Sequence, residues 1–216
     1  MISYKHNFIF VHIPKCAGTS IENYLVPLEG KHDPREIFLP YSHYVPGEHG
    51  PYKKPFEVPQ HYTLQSIKDI LYSRGESDFY NNAFKFSVVR NPWDRMVSEM
   101  SFFTKIFNTK HSIQGLCSTE HVSNHRFDIN QVDFLTVDGK IDVDKVIKFE
   151  NVQNGFTEIL KKLKLPFSKE GGMLGRAEAS NHEHYSKYYD SETRELVAEK
   201  YSKDIEYFNY EYQVSF

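Results

Sequence analysis

The chain has little cysteine. Its two cysteines in 216 residues, Cys16 and Cys117, form neither a CxxC pair nor a dense disulfide framework, which favours a reducing compartment. Long hydrophobic runs are missing too. The most apolar stretch, "FIFVHIP", falls far short of the roughly 20 residues that span a bilayer. The opening "MISYKHNFIFVHIPK" lacks the charged, apolar, small succession of a secretory signal, so the sequence predicts a soluble, cytoplasmic protein with no membrane partner. Nor is there an excess of one charge. Lys and Arg number 26 against 29 Asp and Glu, a formal charge of −3, so no basic field offers an extended nucleic-acid surface and no such partner is expected. One concentrated anion site remains compatible with that balance.

Aromatics are plentiful, at 15% against a hydrophobic share of 39%, so a core here must lean on Phe and Tyr. The length suits a single domain over 1–216. Residues 7–13 read as a buried strand and "GTSIENYL" as the first turns of a helix, with Ile21 and Leu25 spaced i, i+4. Residues 27–59 carry seven of the ten prolines without periodicity, and read equally as a substrate-contacting lid or as a variable surface loop. Thr63 caps a predicted helix over 63–73, and "AFKFSVV" (83–89) is a second buried strand. "NPWDRMVSEMSFF" opens a helix with Asn91 as N-cap and Pro92 in its first position. Residues 108–128 have no clear pattern. Further helices are predicted over 149–165, ending before Pro166, and over 191–208, with Ser191 as N-cap. Buried strands separated by helices predict an α/β fold with a central parallel sheet flanked by helices.

"HIPKCAGTS" (12–20) stands where the first strand gives out. A strand, a small-residue turn and a helix N-terminus make an anion cradle. The first helical N–H groups lack intrahelical acceptors, and the macrodipole favours negative charge there. Gly18 allows close backbone approach, Thr19 and Ser20 add hydroxyls, and Lys15 supplies a cation. In G-x-x-x-x-G-K-[ST] the lysine follows the second glycine. Here it precedes Gly18 by three residues and the leading glycine is absent, so a kinase is the weaker enzyme alternative. A Cys16 phosphatase would need an arginine closing the loop, and "CAGTSIE" has none.

The second motif is "VVRNPWDRMVSEM" (88–100). Arg90 ends the second strand, on the rim where open α/β sheets bind ligands, and Ser98 lies two helical turns on. Arginine plus hydroxyl suits a phosphate monoester, although Arg90 alone reads equally as a sheet-edge salt bridge. Asp94 and Arg95 read as solvated helix charges, His12 as a core histidine, and His182 and His184 as solvated rather than metal-binding, so no metal site is predicted. Arg176, Asn181 and His182 are left as candidates for closing over a nucleotide or acceptor.

In this order and spacing the two motifs resemble the sulfotransferases that use 3′-phosphoadenosine 5′-phosphosulfate (PAPS), most nearly the carbohydrate branch with heparan sulfate 2-O-sulfotransferase-like enzymes. The likeness extends more loosely to "KFENVQNGF" (148–156) and to 188–212, and leaves 27–59 and 101–128 unmatched. It implies a P-loop-like fold in which Lys15, Cys16, Ala17, Gly18, Thr19 and Ser20 cradle the 5′-phosphosulfate, and Arg90 and Ser98 hold the 3′-phosphate. PAPS would donate a sulfuryl group to a hydroxyl, expected on a saccharide or small molecule, leaving 3′,5′-bisphosphoadenosine (PAP). Lys15 would meet the charge on the departing phosphate without a metal. Because the family places its base histidine just before such a helix, His61 in "PQHYTLQSI" is the expected general base. A P-loop-like kinase and a non-catalytic nucleotide- or glycan-binding module remain the alternatives.

Overall fold

The computed structural model describes residues 1–29, 61–118, 128–167, 174 and 182–215. A four-stranded sheet lies at its centre, built from β1 (Ile2–Ser3), β2 (Phe8–Val11), β3 (Phe84–Val89) and a strand Lys145–Lys148. Two short strands, β4 (Thr136–Val137) and β5 (Lys140–Ile141), pair in a separate hairpin, so Lys145–Lys148 is β6. The order is β1-β2-β3-β6. The last three strands run parallel, Phe10 facing Phe86 and Val88 facing Ile147, while β1 is antiparallel. Every residue of β2 and all but the first of β3 are buried, as strands covered on both faces must be. Ser87 is tolerated there because its hydroxyl donates to the Val11 carbonyl at 2.7 Å.

Helices flank the sheet: α1 (Gly18–Glu29), α2 (Leu64–Ser73), α3 (Ser77–Asn82), α4 (Pro92–Phe107), α5 (Ile113–Ser118), α6 (Gln131–Phe134), α7 (Val152–Lys162), α8 (Ser191–Lys200) and α9 (Ser202–Phe208). Their starts follow the expected chemistry at two places. Thr63 accepts from the Ser66 amide ahead of α2, and Asn91 accepts from the Trp93 amide with Pro92 behind it at the head of α4. A second apolar cluster, separate from the sheet core, joins α4, α5 and α8 through Trp93, Phe103, Leu116 and Val197. None of the described helices is long and apolar enough to cross a membrane.

Several expectations need correction. Strand β6, "KVIK", was not expected, because only Ile147 of its four residues is buried and an edge strand of that composition carries little apolar signal. Residues 149–165 start as a 3-10 turn over Phe149–Asn151 before α7 begins. The predicted 191–208 helix is two helices, broken at Tyr201 (φ −113°, ψ 30°). Its N-cap is Asp190, not Ser191: Asp190 accepts from the Thr193 amide at 2.8 Å while the Thr193 hydroxyl meets the Asp190 amide, a reciprocal capping box. The proline-rich stretch at 27–59 lies outside the described residues from residue 30 on, as do Arg176 and Asn181.

Candidate active site

The turn between β2 and α1 takes an unusual path. Lys15 and Ala17 both have left-handed backbone, at φ 64° and 63°, on either side of Cys16. Alternation of left-handed and ordinary residues is the pattern that gathers successive backbone N–H groups into an anion-binding concavity. Such conformations cost a non-glycine residue on the order of 1–3 kcal/mol each and persist only where surroundings impose them.

Two arginines supply that constraint. Arg90, at the end of β3, donates from Nη1 to the Lys15 carbonyl at 3.1 Å, and Arg95 donates from Nε to the Pro14 carbonyl at 3.3 Å. A trans peptide holds C=O and N–H antiparallel, so drawing the Pro14 carbonyl onto Arg95 turns the Lys15 amide the other way. Arg95 is not the solvated helix charge that its sequence position suggests. It is 1% exposed, and its guanidinium lies 5.4 Å from the Tyr201 ring. Arg90 also donates from Nε to Asp94 at 2.7 Å and lies 4.1 Å from the Phe149 ring. The sheet-edge salt bridge and the approach to the loop are therefore both real features of one side chain.

The Arg90 backbone is fixed as firmly. Gln131 accepts from the Arg90 amide and donates to its carbonyl, both at 2.8 Å, and Gln131 is held in turn by Asp204. Burial pushes the Asp204 carboxyl up, while Arg95 and the Gln131 and Val132 amides pull it down. Glu150 accepts from the Asn91 amide at 2.8 Å, which secures the entry to α4. Sequence reading missed Gln131, Glu150 and Asp204. The only signal was that "KFENVQNGF", which holds Glu150, fell within the looser likeness.

Cys16 lies behind the cradle. Its Sγ is 3.2 Å from Gln131 Oε1 and 3.4 Å from the Pro14 carbonyl, and burial pushes the thiol up to about 12. A thiol so protonated cannot serve as a nucleophile, and the Cys16 amide donates back to the Ile13 carbonyl at 3.4 Å, so Cys16 closes the turn rather than facing an anion. Gly18 also has a different reason for being glycine. A Cβ there would lie 2.0 Å from Cδ2 and 2.1 Å from Nε2 of His12, so the space is filled by an imidazole rather than open to an anion.

One face of α4 lines the other side. Asp94, Ser98 and Phe102 recur at i, i+4 and i+8, with Arg90 at the foot of the row. Ser98 is buried, and Lys15 Nζ lies 4.2 Å from the centre of the Phe102 ring. The Lys15 loop, Arg90 and Ser98 thus meet around a single helix. His61 stands against His12: its Nδ1 is 3.1 Å from the His12 carbonyl and its ring stands edge-on to the His12 ring at 4.6 Å. His182 approaches from the C-terminal segment, with Nε2 3.8 Å from Asp94 Oδ1. His184 instead caps the 3-10 turn Tyr185–Tyr188, so the two histidines of "HEH" go to different partners. Among the described residues no three His, Cys, Asp or Glu side chains gather as a metal set.

Glu99, one turn beyond Arg95, is 2% exposed, and its Oε2 has no hydrogen-bond partner among the described residues. Burial raises its carboxyl from 4.5 to about 7, against the pull of Arg95, Lys200 and Lys15. The folded protein therefore holds this proton more tightly than the unfolded chain does. That contribution to stability is present below about pH 4.5 and is lost as pH rises to about 7; a difference of that size corresponds to at most about 3 kcal/mol. Glu99→Gln should gain stability over wild type progressively across that window, with the gap constant above it. Urea midpoints of both proteins at pH 5 and pH 8 check this, and a gap independent of pH would contradict it.

Neither the curated proteins nor the solved structures compared with the chain include a match. A family model described as "Sulfotransferase family" matches residues 1–128, which contain the Lys15 loop, His61, Arg90 and Ser98. With more than half its length matched, the chain belongs to the sulfotransferase family.

Proposed function

We propose that the protein transfers a sulfuryl group from PAPS to a saccharide hydroxyl, in the manner of the heparan sulfate 2-O-sulfotransferase-like branch, and releases PAP. The observation that supports this reading is the 3.1 Å contact between Arg90 and the Lys15 carbonyl, which brings the two motifs side by side. A donor bearing both a 5′-phosphosulfate and a 3′-phosphate suits a site with a cradle at one end and an arginine–hydroxyl pair at the other.

In the reaction, a bond forms from the acceptor oxygen to sulfur while the bond from sulfur to the 5′-phosphate oxygen breaks. The electron pair leaves on that phosphate oxygen, where Lys15 and the amides at the head of α1 meet the charge. The hydroxyl proton passes to His61. Donation from His61 Nδ1 to the His12 carbonyl puts the lone pair on Nε2, the tautomer a base needs. Turnover without a metal and residence in the cytoplasm belong to the same proposal, and both cysteines are free, in keeping with a reducing compartment.

The test is transfer of label from PAPS to a panel of de-O-sulfated heparan oligosaccharides and small alcohols, with and without EDTA. Labelled oligosaccharide in both conditions is expected. A strict requirement for Mg²⁺ and ATP would point to a kinase, and nucleotide binding with no turnover would point to a binding module.

Arg90 and Ser98 should read the 3′-phosphate. Because the Arg90 guanidinium already serves Asp94, its contribution is set at the low end for a charged hydrogen bond, about 1.5 kcal/mol or roughly tenfold. Arg90→Ala should lose about that much of the preference for PAP over 5′-AMP, and Ser98→Ala less. Arg90→Ala should also weaken 5′-AMP by a few-fold, an indirect effect on the cradle, since the Lys15 carbonyl loses the guanidinium that donates to it. Calorimetry on both nucleotides checks this; equal losses for the two would leave Arg90 as a structural salt bridge.

A further inference from the structure

His12 lies between the cradle and the expected base. It directly follows β2, is 3% exposed, and its ring is enclosed on four sides. Phe10 stacks on it at 5.9 Å between ring centres. The edge carrying Cδ2 and Nε2 presses against Gly18, in the first turn of α1, where a Cβ would come within 2.0 Å. Its Nδ1 is 3.0 Å from Glu22 Oε2, at ion-pair distance but not in hydrogen-bond alignment. The fourth neighbour is the His61 ring, at 4.6 Å and 84°.

Gly18 and Glu22 are i and i+4 on α1, so one helix face grips the imidazole at two points. One ring therefore separates the amides that meet the donor from the histidine that meets the acceptor. We propose that the His12 side chain is a positioning residue that sets His61 in register with the sulfuryl cradle; the proposal rests on His61 being the acceptor base. The backbone and side chain of His12 divide the task. The carbonyl fixes the His61 tautomer, and the ring fixes the direction in which His61 faces. A reacting pair misplaced by about 1 Å can lose on the order of 10²-fold in rate, so a neighbour of this kind affects turnover without touching substrate.

The experiment is a double-mutant cycle on full-length protein, with label transfer from PAPS to the best acceptor of the panel as readout. Wild type, His12→Gln, His61→Ala and the double variant are compared. His12→Gln keeps the carbonyl and a polar group near Glu22 but removes the ring. It should lower kcat about tenfold or more in the wild-type background and less than about twofold in the His61→Ala background, because its effect passes through His61. Equal falls in both backgrounds would show general damage to the cradle or the fold and overturn the proposal. If His61→Ala alone turns over like wild type, the base assignment itself fails, a result visible without any His12 variant. Should His12→Gln not fold, Glu22→Gln, which leaves both rings in place, carries the same cycle. A smaller fall confined to the wild-type background is then expected, and equal falls or none would overturn the proposal.

Discussion

Lys15→Ala is expected to lower kcat for sulfuryl transfer about 10²- to 10³-fold while PAP affinity changes by less than about tenfold. The lysine charge matters most when negative charge builds on the departing phosphate, so its loss belongs to the transition state rather than to binding. Backbone damage does not account for such a fall. Ala17 already holds a left-handed conformation at φ 63° two residues on, so an alanine at φ 64° adds no new kind of strain. Loss of the contact with Phe102 is also too small, since a cation–π pair contributes about 0.5–2 kcal/mol and a 10³-fold effect needs about 4. Single-turnover rates at saturating PAPS, beside calorimetry with PAP, separate the two quantities. Unchanged turnover would remove Lys15 from the mechanism. A loss confined to affinity would make it a binding residue only.

His61→Ala should reduce the acceptor-dependent rate by about 10²-fold, the lower end for general base catalysis. PAP affinity should hardly change, because His61 is held against His12, which in turn packs on Gly18. The comparison that decides is His61→Ala against substitution at His182, which stands by Asp94 at the other end of the site. If His182→Ala shows the loss of rate and His61→Ala does not, the base lies on the C-terminal segment.

The legible parts of this molecule were those fixed by near neighbours in sequence. "NFIFV" running into "PKCAGTS" announces a buried strand and a helix N-terminus. "RNPWD" announces a cap and a first turn, and the structure has both. The illegible parts depend on partners far along the chain. Arg95 reads as a surface charge until the Pro14 carbonyl, the Tyr201 ring and Asp204 are brought around it. Gln131 and Asp204 sit in segments without periodicity or motif, yet they hold the Arg90 backbone across 41 and, through Gln131, a further 73 residues of sequence. Gly18 reads in the sequence as room for an anion, whereas the His12 ring fills that space once it is folded against α1. The break at Tyr201 is of the same kind. Its side chain is buried in the α4 cluster, at the point where a segment whose local pattern favours one continuous helix divides in two.

The Lys15 loop and the strand-end Arg90 are proposed to form one site for a nucleotide phosphorylated at both 3′ and 5′ positions. Calorimetric titration of the wild-type protein with PAP and with 5′-AMP tests it without needing the acceptor. PAP should bind at least about tenfold more tightly, the margin of one charged hydrogen bond to the 3′-phosphate. Equal affinity for the two nucleotides would mean that Arg90 and the Lys15 loop do not form such a site.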